Sequence, residues 1–80
     1  MGVGVGFMTA RRGDLISLTT AQAREFPVGT LLEEADGSAT WWKRSRNMWK
    51  KLDPEAEVVR LPVTMAGGTF WVLRGDLHGG

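Results

Sequence analysis

Residues 31–52 read LLEEADGSATWWKRSRNMWKKL, and the fold turns on how this stretch is read. Asp36-Gly37 is a hairpin-turn dipeptide, with extended chain predicted from Val28 to Ala35 before it. The return strand is Thr40 to Ser45, TWWKRS. A second reversal at Arg46-Asn47 leads into MWKKL, with Asn47 supplying the left-handed backbone such a turn favours. The same residues also have helical spacing. Trp41, Met48 and Leu52 stack at i, i+7 and i+11, Trp42 and Trp49 flank them, and the cations lie opposite. Thr40 would cap that helix and Pro54 would end it. The Asp-Gly turn just upstream and the strand preference of tryptophan favour the hairpin.

Working outward, Leu15, Ile16 and Leu18 form a short strand. A helical turn near residues 20–25 follows, capped by Thr20 and stopped by Pro27. Towards the C-terminus, Val59, Leu61, Val63 and Met65 alternate with Arg60, Pro62 and Thr64, which is strand periodicity with Pro62 at a bulge or edge. Gly67-Gly68 makes a tight turn into TFWVLR. There Phe70 and Val72 face the core, and Trp71 and Leu73 cover a second, partly exposed surface. The sum is a mostly β fold, a small SH3-like barrel of about five short antiparallel strands. Residues 14–76 are the single small domain. Residues 1–13, with glycine at positions 2, 4 and 6, read as a flexible Gly-rich arm, and 77–80 as a frayed tail.

Composition excludes several classes. Eighty residues make one small domain, and a hydrophobic fraction of 42% is that of a globular chain. Without cysteine there is no disulfide framework, thiolate zinc site or cysteine nucleophile. The single histidine, His78, sits in the tail, which argues against a Ser-His-Asp triad and against a structural metal site. No cofactor motif is present: GVGVG is not the dinucleotide fingerprint. No apolar run spans a membrane and no secretory signal is evident, so the expected compartment is cytoplasmic. Glu33 and Glu34 are adjacent on a strand, point to opposite faces and do not converge on a substrate. Arg12-Gly13-Asp14 and Arg74-Gly75-Asp76 both spell the adhesion tripeptide and read as turn chemistry. The chain is therefore expected not to be an enzyme.

The segment PVGTLLEEADGSATWWK, Pro27 to Lys43, resembles small proteins of actinobacterial phages. It shares their Pro-x-Gly-Thr opening, extended hydrophobic run, Ala-Asp-Gly turn, and tryptophan followed by a basic residue. The resemblance covers about a fifth of the chain. It implies an SH3-like barrel without enzymatic motifs, acting as a phage accessory protein in the cytoplasm of a bacterial host. It carries no catalytic residues to transfer.

One segment stands out for chemistry. Trp41, Trp42, Lys43, Arg44, Arg46, Trp49, Lys50 and Lys51 lie together with no acid among them. The acids flank this run, so a net charge of +1 hides a polarised chain. Consecutive strand residues point to opposite faces, which puts Trp41 inside and Trp42 outside with Arg44. Across the turn, Trp49 and Lys51 are expected to join Trp42 and Arg44, with Lys43 and Arg46 completing a partner-binding patch. Tryptophan and arginine are enriched at binding hot spots, so the leading expectation is a protein-interaction module that binds a bacterial host protein. The alternative is a small nucleic-acid-binding β-barrel that stacks bases on the same tryptophans. The near-neutral charge counts against that alternative.

Overall fold

The computed structural model describes residues 9–53 and 57–77. The first eight residues of the predicted arm, residues 54–56, and residues 78–80 of the predicted tail lie outside the described residues. Eight elements follow one another: β1 (Leu15–Ser17), α1 (Thr20–Glu25), β2 (Leu31–Glu34), β3 (Thr40–Ser45), β4 (Met48–Lys51), β5 (Val59–Arg60), α2 (Pro62–Met65) and β6 (Thr69–Arg74). The six strands form one antiparallel sheet in the order β1-β6-β2-β3-β4-β5. This is the small mostly β fold that the turn dipeptides imply. The described residues hold six strands where the sequence suggested about five, and β1 and β5 are the edges.

The hairpin reading of residues 40–52 holds. β3 spans Thr40–Ser45 and β4 starts at Met48, so no amphipathic helix forms there. The β2–β3 turn falls at Asp36-Gly37, with only the glycine left-handed. Gly37 has φ +77°, its N–H donates to the Glu34 carbonyl at 2.8 Å, and the Asp36 carboxylate accepts from the Ser38 N–H at 2.9 Å. The β3–β4 turn differs from expectation. Asn47 is not left-handed, because no described residue other than glycine has positive φ. The strand pair instead absorbs its twist in a bulge at Arg44: Lys43 pairs with Trp49, and Ser45 with Met48.

Two further expectations are corrected. The helical turn is capped by Thr19, not Thr20. Thr19 Oγ1 accepts from the Gln22 N–H at 3.1 Å, and Gln22 Oε1 accepts from the Thr19 N–H at 3.0 Å. That reciprocal pair needs a Gln or Glu three residues on, and only Thr19 has one. The alternating run at 59–65 is not one strand. It pairs only through Val59–Arg60, then turns into α2 with Pro62 at its start, where a missing N–H costs nothing. Val59, Leu61 and Val63 are consequently exposed, while Pro62 and Met65 are buried.

The core lies on one side of the sheet. Phe70 and Val72 of β6, Leu32 of β2, Trp41 of β3 and Trp49 of β4 point to it, and Ala23, Phe26 and Met65 close over it from the helical side. α1 and α2 pack against each other there. Phe26 meets Trp49 edge to face, with centroids 6.2 Å apart and planes at 84°. Gly68 is required by this packing, since a Cβ there would lie 2.7 Å from the Phe70 ring. The packed unit reaches beyond residues 14–76. Ala10 and Leu77 are both buried and exchange backbone hydrogen bonds of 2.8 and 2.7 Å.

Candidate binding face

Alternation along β3 sorts the candidate residues onto two faces. Trp41 and Lys43 point to the core and are buried; Trp42 and Arg44 point away from it. The Arg44 guanidinium lies 6.0 Å from the Trp42 ring, the stacked arrangement that the i, i+2 rule anticipates. Arg46, at the hairpin tip, is exposed and pairs with Glu25 of α1 at 2.9 Å.

Two of the expected binding residues are elsewhere. Trp49 is 0% exposed, and its indole N–H donates to the Ala23 carbonyl at 3.2 Å. Lys43 is also 0% exposed. Its ammonium donates to the carbonyls of Ala23 and Arg24, both at 2.5 Å, and lies 5.5 Å from the Trp49 ring. Those carbonyls are orphans of the last turn of α1, so Lys43 satisfies the helix end and complements its dipole. Its pKa is pushed down to about 8, first by burial and then by the Arg46 charge, with Glu25 opposing. Lys43 and Trp49 thus fasten α1 to the sheet and offer nothing to a partner. Lys51 shares the Trp41 register rather than the Trp42 register, yet its position at the strand end keeps it half exposed.

On the outer face, the register sets side chains beside one another across the sheet. Trp42 pairs with Leu31 on one side and Lys50 on the other, and Lys50 pairs with Val59. One row away, Trp71 pairs with Leu15 and with Glu33. Trp71 is 40% and Leu73 41% exposed, while Phe70 and Val72 are buried, so β6 is oriented as its sequence predicts. An apolar band therefore runs over the face through Leu15, Trp71, Leu73, Leu31 and Trp42, and Lys50 separates it from Val59. No described element covers it, since both helices lie on the other side. Trp42 also lines an open cleft of about 380 Å³ with Lys50, Lys51, Leu52 and Asp53.

The cations of the cleft are paired within the chain. Lys50 Nζ is 3.0 Å from the Glu57 carboxylate, and Lys51 Nζ is 3.8 Å from that of Asp53. The Lys50 contact holds the Glu57 carboxyl below its usual pKa. Among the described residues, no cluster of three His, Cys, Asp or Glu residues could hold a metal ion, and no helix is long and apolar enough to cross a membrane. The chain matches no protein-family model, no curated protein and no solved structure.

Proposed function

We propose that this chain is a non-enzymatic protein-interaction module that docks a partner protein on the outer face of its sheet, with Trp42 as the anchor. The observation that carries this reading is an uncovered apolar band over that face, with Trp42 at the cleft beside it. A contiguous apolar surface of this kind on a small soluble domain marks an interaction site. Arg44, stacked on Trp42, and the half-exposed Lys50 and Lys51 form its polar rim. Lys43, Arg46 and Trp49 are engaged inside the chain, so the patch is smaller than the cluster in the sequence. The resemblance of Pro27–Lys43 to actinobacterial phage proteins supports a bacterial host protein as the partner.

A protein partner is favoured over nucleic acid by the ion pairs. Lys50 and Lys51 are neutralised by Glu57 and Asp53, which leaves little unspent positive charge for phosphates. The test is a pull-down from bacterial lysate with and without nuclease, followed by affinity measurement for the captured partner. Trp42→Ala is expected to keep the wild-type thermal melt and weaken binding about thirtyfold, the effect of losing a central anchor. An unchanged affinity would remove Trp42 from the interface. Capture abolished by nuclease, with binding lost steeply as salt rises, would replace this reading with the nucleic-acid one.

A further inference from the structure

The two edges of the sheet differ in what they offer. At β5, Val59–Arg60 is followed at once by Leu61, whose N–H donates to Thr64 Oγ1 at 3.0 Å, and by α2, so that edge is closed by a helical turn. At β1, the hydrogen-bond phase is set by its flanks. Val72 N–H donates to the Asp14 carbonyl at 2.8 Å, and Leu18 N–H donates to the Gly68 carbonyl at 2.9 Å. These bonds bracket Leu15–Trp71 and Ser17–Thr69 as non-hydrogen-bonded pairs, with Ile16–Phe70 as the hydrogen-bonded pair between them. The N–H and C=O of Leu15 and Ser17 therefore point away from β6, out of the sheet edge. No described residue bonds to them. Edge strands are normally guarded by charge, proline or a bulge, and Leu-Ile-Ser has none of these.

We propose that β1 pairs antiparallel with β1 of a second copy of this chain, about a twofold axis at Ile16. In this register Leu15 faces Ser17 of the second copy and Ser17 faces its Leu15. Both pairs exchange N–H and C=O, and the four outward groups of each strand are satisfied. A twofold axis normal to the sheet keeps each side chain on its own face, as paired strands require. On the core face, Ile16 meets its counterpart directly. It is packed against the core yet only partly buried, so the contact covers what the single chain leaves open. On the outer face, Leu15, 50% exposed, meets its counterpart diagonally beside Trp71. The flanking charges do not collide, because Asp14 falls opposite Leu18 of the second copy. The occupant is a second copy because one strand supplies both halves of this match. Three residues make a small interface, so association is weak and concentration-dependent. It uses neither Trp42 nor the cleft, and it meets the partner-binding band only at its far end, at Leu15 beside Trp71.

The test is sedimentation equilibrium of the full chain from about 10 μM to about 1 mM, the range in which weak dimers form. The mass is expected to rise from 8.8 kDa towards twice that value. Ser17→Pro removes an outward N–H that no strand of the same chain uses, and Leu15→Lys places a charge on the edge. Each is expected to weaken association at least tenfold with the thermal melt unchanged. Amide exchange on the wild-type chain reads the same contact without mutation, as the Leu15 and Ser17 amides should slow at least tenfold from the lowest to the highest concentration. A wild type that stays monomeric throughout overturns the proposal. A dimer that survives in both folded variants also overturns it. Protection of both amides already complete at the lowest concentration would do the same, by showing that the chain itself covers the edge.

Discussion

Lys43 and Arg44 are sequence neighbours with the same charge, and they illustrate the two sides of this molecule. Lys43 is enclosed, its ammonium spent on two carbonyls and the face of Trp49. Arg44 is in solvent, lying along Trp42. The tryptophans divide in the same way, Trp41 and Trp49 inward and Trp42 outward. A charge or an indole has no fixed role here. The strand's two-residue period and one bulge decide whether it holds the fold together or faces a partner.

The sharpest way to break this comparison is to truncate one tryptophan from each side. Trp49→Ala should destabilise the chain by about 3–5 kcal/mol in urea denaturation, since it opens a cavity in a small core. Trp42→Ala should cost about 1 kcal/mol or less, because its loss is felt by a partner and not by the fold. Equal losses would mean that the outer face is structural.

Next come substitutions at Lys43. Lys43→Ala should cost about 3 kcal/mol, since it leaves the Ala23 carbonyl with the Trp49 indole alone, the Arg24 carbonyl without its ammonium donor, and a void beside them. Lys43→Met keeps the packing volume and removes the charge, and should cost at least about 1 kcal/mol less than the alanine variant. If methionine is the worse of the two, the charge is the dominant fastening.

Alkaline pH probes the same site without truncation. Lys43 titrates at about 8 in the folded chain and at 10.5 in the unfolded one. Below pH 8 it is charged in both states, and the penalty for burying the charge is fully present. Between about 8 and 10.5 the unfolded chain holds the proton that the folded chain has released, so stability climbs with pH. The rise is on the order of 3 kcal/mol across that window. The advantage of wild type over Lys43→Met in denaturation midpoint should widen as pH rises. A wild type that loses stability relative to the variant over this range would reverse the assignment.

The smallest effect is expected at the hairpin tip. Arg46→Ala removes an exposed ion pair with Glu25 and should change stability by less than about 0.5 kcal/mol. A larger cost would make the tip a third fastening of α1.

Much of this division was legible in the sequence. The Asp36-Gly37 turn placed β3 at its observed residues, and adjacency alone separated Trp41 from Trp42. The orientation of β6 followed from TFWVLR. Trp49 and Lys51 were misplaced for one reason. A regular two-residue turn would pair Arg44 with Trp49 and Trp42 with Lys51. The bulge at Arg44 shifts that register by one, which exchanges the faces of β4. Nothing in KRSRN announces a bulge; the gain from burying Trp49 selects it. Lys43 was different, for its parity with Trp41 already placed it inside, and only the habit of lysine for the surface argued otherwise. Residues 59–65 misled because their alternation was genuine, but Pro62 could begin a helical turn as readily as it could sit on an edge.

The bridge between Ala10 and Leu77 has a mechanical consequence. The chain enters and leaves the sheet at one place, side by side. Tension between the two flanks would not shear the sheet along its strands. It would open the ladder from its end, first the Ala10–Leu77 pair, then the Gly13 to Val72 bond, then β1 from β6. Bonds loaded one pair at a time yield at low force, so a pull across the ends of this molecule strips off β1 before it disturbs α1, Lys43 or the Trp42 face.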